Sequence, residues 1–222
     1  ENPTALMARR ELQSWRLLRL EPSALRKADE ITAPARLGAD GSHLAAALYH
    51  LPEASRYTGK EYGEPTGADD GAARAYGRVA ERLAGLIDDV RELTVDYDER
   101  RESLTVVLKG RDGTPHAARS LSDGVLRFLA LAILELDSET PGLICVEEPE
   151  NGIHPERIAA MLTLLRDIAV DVEKPVGPDN PLRQVIINTH SPALLSLVPG
   201  ENLLLAELVE EIDRGIMFGS AR

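Results

Sequence analysis

The sequence predicts an α/β fold with a mostly parallel, doubly wound sheet, a helical insertion and a β-hairpin. Two short and largely apolar runs, residues 143–147 and 184–188, have the composition of strands that are buried on both faces of a parallel sheet. Stretches with helical periodicity, residues 123–136 and 155–172, precede and follow the first of these runs. Because strands that alternate with helices usually pair in parallel, this order indicates a doubly wound sheet.

The first part of the chain has mainly helical patterns. Apolar residues recur at helical spacing over residues 5–20, and Trp15 is expected in the core. Residues 17–20 fit the start of a strand equally well. A short helix is predicted over residues 44–51, and Ser42 is a candidate for its N-cap.

A stretch rich in Gly, Pro and charge follows this helix at residues 52–71 and is predicted to be a mobile loop. Residues 72–90 carry a single apolar stripe at helical spacing, which indicates a helix. We therefore assign residues 1–91 to a helical insertion or lid region that contains the loop 52–71.

The remaining residues, 92–222, are assigned to a β-hairpin and the carboxy-terminal lobe of the α/β domain. Residues 93–97 and 104–108 alternate in polarity around a polar turn, which predicts the hairpin, and a third strand should return towards Ala118. The last predicted elements are a loop at residues 175–181, a short helix from Pro192 and a strand at residues 202–205.

Composition excludes some classes of function. The formal net charge of the 222 residues is -12, which argues against sequence-blind binding of nucleic acid over the whole surface. Cys145 is the single cysteine, so an intrachain disulfide is impossible and a reducing, cytoplasmic location is expected. Apolar runs are all too short to span a membrane.

Two adjacent carboxylates, Glu147 and Glu148, follow the first apolar strand. Open α/β sheets bind their ligands at the carboxyl ends of the strands. Mg²⁺ on a nucleotide phosphate is a suitable ligand there, because it prefers hard oxygen donors and keeps several of its waters. One carboxylate can then hold the metal while the next orients or deprotonates a water. The alternative is a strand end whose acids face solvent.

A second motif, Ser120-Leu121-Ser122-Asp123-Gly124, opens the helix at residues 123–136. Backbone N–H groups at the start of a helix, together with the positive end of its dipole, favour an anion such as phosphate. The alternative is a plain N-cap at Ser122.

The third motif is Asn188-Thr189-His190-Ser191-Pro192, which follows the second apolar strand. A histidine at the carboxyl end of a neighbouring strand can hydrogen-bond a γ-phosphate or the water that attacks it. The alternative is a histidine that satisfies the carbonyl groups of its own loop.

Together, the three motifs resemble those of the ABC-type ATPase heads of structural-maintenance-of-chromosomes and RecF-like proteins. More narrowly, they are similar to the AAA family ATPases of bacterial defence and repair systems that carry such a head. The match comprises the Ser-Asp-Gly signature, Glu-Glu-Pro-Glu-Asn-Gly from Glu147, and Thr-His-Ser-Pro from Thr189, and it covers residues 116–206 closely. The resemblance implies hydrolysis of ATP to ADP and phosphate with Mg²⁺, by heads that dimerise around the nucleotide.

The resemblance also implies residue roles. Glu147 corresponds to the Walker B acid that holds Mg²⁺ through water, Glu148 to the catalytic base, and His190 to the switch histidine. The implied nucleotide-binding residues of the signature and the D-loop are Ser120, Ser122, Asp123, Gly124, Asn151, Gly152 and His154. Many relatives carry Asp where this chain has His154, so the role of His154 across a dimer is open.

The Walker A phosphate loop and the Gln-loop of such heads are not found in the sequence. We expect them to precede Glu1, in a longer protein of which this chain is part. The main cradle for ATP is a phosphate loop with its lysine, so this chain alone is expected to lack a tight ATP site.

Two other functions are considered. The same kind of head occurs in nucleases of the overcoming-lysogenization-defect type, but the acidic pattern of their Toprim domain is not seen after His190. A degenerate scaffold head is argued against by the presence of Glu148 and His190. A homodimer or head-to-head dimer is the expected assembly. DNA and a partner effector protein are partners by family analogy only, and no membrane contact is expected.

Overall fold

The computed structural model describes residues 2–56, 68–87, 90–138, 140, 142–177 and 179–206. The seven helices are α1 (Pro3–Ser14), α2 (Pro22–Leu25), α3 (Leu44–Arg56), α4 (Ala68–Ala84), α5 (Asp123–Leu136), α6 (Ile158–Ile168) and α7 (Pro192–Leu195) within these residues. The strands are β1 (Arg16–Leu18), β2 (Asp29–Glu30), β3 (Val90–Asp98), β4 (Ser103–Gly110), β5 (Pro115–Ala117), β6 (Gly142–Glu147) and β7 (Arg183–Asn188).

The chain forms two compact units, of which the first ends at His190 and the second begins at Ser191. In the second unit, the hydroxyl of Ser191 caps α7 by accepting a hydrogen bond of 3.4 Å from Leu194 N. A 3₁₀ turn follows at Gly200–Asn202. None of the helices in the described parts of the chain is long and apolar enough to cross a membrane.

A parallel sheet with the strand order β1-β6-β7 lies in the first unit. Its inward rows include Ile144 and Val146, which are fully buried. An outward row is formed by Leu17, Cys145 and Ile186, which are in register, and Leu17 and Ile186 are 63% and 53% exposed. The α/β class and the parallel sheet are confirmed. The expected burial of these strands on both faces is wrong, because the row that contains Leu17 and Ile186 is exposed.

An antiparallel sheet is built from β2, β4, β3 and β5. The hairpin β3–β4 alternates as predicted, with Leu104, Val106 and Leu108 buried on one face. Strand β5 pairs with β4, which confirms the third strand that was expected before Ala118. The hairpin and this sheet bring the chain back to the start of α5.

Helix α5 is the centre of the core. Residues 128–134 are continuously buried, so the helix is surrounded on all sides rather than along one stripe. It packs against α2, α3, α4 and α6. Its first turn therefore has a fixed position relative to the rest of the unit.

The buried Arg183 of β7 caps the C-terminal end of α5. Its guanidinium donates to the carbonyl groups of Leu134, Glu135, Asp137 and Thr140, with distances of 2.9 Å to Leu134 O and 2.7 Å to Thr140 O. Burial lowers the pKa of Arg183, and the nearby Asp137 and Glu135 carboxylates oppose that shift. Arg183 satisfies helix carbonyls that have no partner within the helix.

The first 91 residues are less purely helical than predicted. Residues 16–18 take the strand alternative and pair with β6, and Asp29–Glu30 pair with β4. Trp15 is 51% exposed, so its expected place in the core is wrong. Asp29, rather than Ser42, binds the free amides at the start of α3, since its Oδ2 accepts from Ala45 N and Ala46 N.

Other predicted boundaries shift as well. Helix α3 continues to residue 56 and α4 begins at residue 68, so both ends of the predicted loop 52–71 are helical. Residues 57–67 of that loop lie outside the described residues. The helix predicted over 155–172 is a 3₁₀ turn followed by α6 and ends at Ile168. The strand predicted at 202–205 is wrong, because Asn202 ends a 3₁₀ turn and residues 203–205 pair with no strand among the described residues.

Candidate functional site

The carboxyl ends of β6 and β7 lie side by side. Glu147 pairs in register with Asn188, and Glu148 N donates a hydrogen bond of 2.8 Å to Asn188 O. His190 is two residues beyond Asn188, and its side chain is exposed. The parallel pairing therefore brings the chain segments that carry Glu148 and His190 to the same edge of the sheet.

His190 does not fit the alternative of a histidine that satisfies its own loop. Its side chain has no hydrogen bond or ion pair within the part of the chain that the structure describes. An exposed imidazole at a strand end keeps both ring nitrogens available for a ligand.

Glu148 has an unusual backbone conformation, with φ of 42°. A non-glycine residue in the left-handed region costs about 1–3 kcal/mol and is concentrated at functional sites. Two contacts hold it there: Asn151 Nδ2 donates to Glu148 Oε2 at 2.6 Å, and Asn151 N donates to Glu148 O at 3.2 Å. The turn from Glu148 to Asn151 thus fixes one carboxylate oxygen and leaves the other for a further partner.

Glu147 is paired with an arginine that sequence reasoning missed. Arg19 Nε lies 3.5 Å from Glu147 Oε2 and 3.4 Å from Glu21 Oε1. Arg19 directly follows β1, the strand that flanks β6 on the side away from β7. A charge that follows the apolar pair at residues 17–18 was the available signal, but three residues are too few to identify a strand.

The predicted signature residues lie at the start of α5. Ser122 caps the helix, because its hydroxyl accepts a hydrogen bond of 3.4 Å from Val125 N. Asp123 forms an ion pair with Arg26, which also donates to Leu121 O at 3.0 Å. The cap predicted as the alternative is therefore present, and an arginine from the segment after α2 braces the loop.

The signature and the predicted D-loop are in direct contact through two glycines. A Cβ on Gly124 would overlap the carbonyl oxygen of Gly152 and lie 2.8 Å from the carbonyl carbon. Gly152 has a φ of 79°, which favours glycine. Arg127 strengthens the contact by donating to Asn151 O at 2.6 Å. Gly124, Asn151 and Gly152 are thus brought together, and Asn151 extends the contact to Glu148.

Among the described residues, the side chains of Ser120 and His154 form hydrogen bonds only with residues nearby in the sequence. The hydroxyl of Ser120 donates to Ala117 O at 2.8 Å. His154 Nδ1 accepts a hydrogen bond of 3.4 Å from Glu156 N and caps the 3₁₀ turn that follows. Neither side chain makes a hydrogen bond to the acids at the end of β6 within the described residues.

A buried carboxylate was also missed. Glu150 is only 8% exposed, and its Oε1 accepts a hydrogen bond from the hydroxyl of Thr189. Its Oε2 is buried without a hydrogen-bond partner among the described residues. The available signal was its place between Glu148 and Asn151 in the predicted motif, but Glu is usually exposed, so its burial could not be predicted.

The residues at the end of β6 suit Mg²⁺ carried by a nucleotide. The described residues contain no group of three or more His, Cys, Asp or Glu side chains that could hold a metal ion by themselves. Mg²⁺ bound to phosphates keeps several waters and needs only one or two protein carboxylates. Glu147, with hard oxygen donors at a strand end, meets that requirement.

Comparison with known proteins gives a family and several distant structural likenesses. A family described as "AAA domain, putative AbiEii toxin, Type IV TA system" matches residues 7–196, and curated proteins give no match. The solved structures include an Smc head bound to the C-winged helix domain of ScpA, with 12% identity, a TM-score of 0.46, and coverage of 82% of this chain and 49% of that one.

Two further structures are Smc heads with coiled coils. The head from Pyrococcus yayanosii has 11% identity and a TM-score of 0.38, with coverage of 58% of this chain and 25% of that one. The head from Pyrococcus furiosus, bound to the C-terminal domain of ScpA, has 10% identity and a TM-score of 0.39, with coverage of 58% and 32%. This chain spans about half of the length of the first structure and a third or less of the lengths of the other two. Because the family match extends over residues 7–196 of 222, the chain belongs to this family of AAA domains.

Proposed function

We propose that this chain is part of an ABC/SMC-like ATPase head that binds Mg²⁺-ATP at the carboxyl ends of β6 and β7 and hydrolyses it to ADP and phosphate. The supporting observation is the 2.8 Å hydrogen bond from Glu148 N to Asn188 O. It joins the strand end that bears the two acids to the strand end that leads into His190. A triphosphate at this edge is within reach of both segments.

Each of three side chains has its own task in this proposal. Glu147 holds Mg²⁺ through water, and the metal, when bound, offsets the negative charge of the phosphates. Glu148 orients the attacking water and accepts its proton, and the bond from Asn151 to Oε2 keeps the carboxylate in place. His190 donates a hydrogen bond to the terminal phosphate.

The signature loop acts on ATP held by a second head. The amides at the start of α5 and the dipole of its 14 residues favour phosphate. Ser122, Asn151 and His154 are exposed, as residues that meet a second head need to be. Ser120, Asp123, Gly124 and Gly152 complete the surface assigned to this contact.

The biological setting is proposed by analogy with the family. A dimer of heads that opens and closes with ATP suits DNA repair or anti-phage defence in the cytoplasm, together with DNA and a partner effector protein. A nuclease of the overcoming-lysogenization-defect type is the alternative. The residues after 206, where its further domain would begin, lie outside the described residues.

The test is Glu148→Gln in the full-length protein. Loss of the base is expected to lower ATP turnover by about 100-fold or more, while the Kd for ATP stays within about threefold and the ATP-bound dimer accumulates. Turnover by phosphate release, nucleotide binding by titration and dimer formation by light scattering are measured.

Glu99→Gln is the matched control, because Glu99 is an exposed acid in the turn between β3 and β4. It should leave all three measurements unchanged. Unchanged turnover in Glu148→Gln would refute the assignment of the base. A parent protein that binds ATP but never turns it over would favour the scaffold reading instead.

A further inference from the structure

Two connections join the turn after β6 to the segment after β7. The first is the backbone hydrogen bond from Glu148 N to Asn188 O, at 2.8 Å. The second is the hydrogen bond from the Thr189 hydroxyl to Glu150 Oε1. Glu150 lies two residues after the proposed base Glu148, and Thr189 directly precedes the proposed switch histidine His190.

The second connection involves a buried carboxylate, which needs hydrogen-bond donors. Glu150 is 8% exposed, and a buried carboxylate is tolerated only when it has hydrogen-bond donors or positive charge around it. The Thr189 hydroxyl supplies a donor to Oε1, while Oε2 has none among the described residues. Loss of the hydroxyl would leave Glu150 poorly satisfied, so the side chain and its turn would have to move.

The turn that would move also carries the base. Glu148 has a φ of 42°, a conformation that persists only when its surroundings hold it. Ile153 N donates to Glu150 O at 2.9 Å, which ties Glu150 into the same turn as Glu148 and Asn151. A displacement of Glu150 therefore reaches the carboxylate of Glu148.

We propose that Glu150 and Thr189 are a positioning pair that sets the placement of Glu148 relative to His190. The inference rests on the proposed ATPase function, since it concerns the same site. Neither residue touches the nucleotide; Glu150 acts through Glu148, and Thr189 acts through His190. The pair links the D-loop turn to the segment that bears the switch histidine through a partly buried contact.

The experiment uses the full-length protein, with MgATP as the probe. Thr189→Val is expected to lower kcat about tenfold, because a hydrogen bond to a buried carboxylate is lost. KM and the Kd for ATP should stay within about twofold, since no nucleotide contact is removed. Thr189→Ser, which keeps the hydroxyl, should remain within about twofold of the parent in kcat.

A double-mutant cycle tests the pairing itself. Glu150→Leu should lower kcat about as much as Thr189→Val, and the double variant should be no slower than either single variant. Glu150→Gln, which can still accept the hydrogen bond, should be faster than Glu150→Leu. Hydrogen exchange of peptides that span 148–152 and 188–190 should rise in both regions when either partner is changed, which gives a readout besides activity.

Thr163→Val is the matched control, because the hydroxyl of Thr163 donates to Ala159 O at 3.0 Å within α6. It should change neither kcat nor exchange at the two peptides. Unchanged kcat in Thr189→Val, or additive losses in the cycle, overturns the positioning pair. Should Thr189→Val fail to fold, equal kcat values for Glu150→Gln and Glu150→Leu overturn it instead. Glu148→Gln separates the two ideas: if it stalls turnover while the pair variants do not, only the positioning pair is lost.

Discussion

Arg19 Nε lies 3.5 Å from Glu147 Oε2, so the acid proposed to hold Mg²⁺ is paired with an arginine from the neighbouring strand end. The two side chains are 71% and 34% exposed, which limits the ion pair to about 1 kcal/mol or less. An arginine at this place competes with a metal for the same carboxylate.

We predict that Arg19→Ala lowers the Mg²⁺ concentration needed for half-maximal ATP binding in the complete protein. An interaction of at most about 1 kcal/mol corresponds to a change of up to about fivefold. Titration of Mg²⁺ at fixed ATP measures it, with Arg9→Ala on the exposed face of α1 as the control. A higher Mg²⁺ requirement would show instead that Arg19 binds phosphate.

Gly124→Ala is predicted to destabilise the fold by about 1–3 kcal/mol, because its Cβ would meet the backbone of Gly152 and Ile153. Rigid backbone on the facing side cannot yield as a flexible side chain could. Chemical denaturation gives the free energy of unfolding.

The matched control is Gly77→Ala in α4, where a Cβ has no heavy atom within 4 Å. Alanine favours the helix over glycine by up to about 1 kcal/mol, so this variant should be neutral or more stable. Equal changes in the free energy of unfolding at the two glycines would contradict the close contact between Gly124 and Gly152.

Arg183→Met is predicted to destabilise the first unit by about 3 kcal/mol, because several buried carbonyl oxygens at the end of α5 lose their donor. Arg183→Lys should recover only part of this, since an ammonium group cannot reproduce the planar fork. Arg166→Met, at an exposed position of α6, serves as the control. Thermal unfolding followed by circular dichroism measures the Tm of each variant. Equal Tm values for the two Met variants would contradict the prediction.

Asp40 gives a prediction about pH. Hydrogen bonds from Ser42, through its side chain and its backbone, hold the pKa of the Asp40 carboxyl below its ordinary value of 3.8. A depressed pKa in the folded state contributes stability above the ordinary pKa, and this contribution is lost as the pH falls through the lower folded value. Asp40→Ala should therefore melt slightly below the parent at pH 7.

The gap in Tm between Asp40→Ala and the parent should shrink as the pH falls below about 4. Asp40 lies in the loop whose carbonyls at residues 39 and 40 accept from Arg19 N and Glu21 N, so the turn supports the segment after β1. Glu99→Ala controls for the loss of an exposed acid. A gap that widens in acid would contradict the assigned shift.

Local patterns made the central elements predictable. Strands β6 and β7 are short apolar runs that end in polar residues, and α5 has the length and composition of a core helix, so each was located from sequence alone. The meeting of the strand ends follows from parallel pairing. The antiparallel hairpin was equally clear from its alternation.

Features that depend on distant contacts could not be predicted. Strand β1 has three residues and is defined by its pairing with β6 rather than by its own pattern. The leucines at 203–205 looked like a strand, yet apolar composition over four residues does not supply a pairing partner. Arg19 and Arg183 acquire their roles from residues far away in the sequence and belong to none of the motifs. Glu150 lies within the Glu-Glu-Pro-Glu-Asn-Gly motif, but the motif does not reveal its distant partner Thr189.

At Glu148, the left-handed backbone sets the stability of the fold against the proposed catalytic role. Glycine adopts a φ of 42° without strain, so Glu148→Gly would relieve the backbone while it removes the proposed base. A β-branched residue there would increase the backbone strain and would also lack the carboxylate of the proposed base. If Glu148 has the proposed role, selection for stability alone would favour glycine at this position, and the strained glutamate is what the proposed hydrolysis requires.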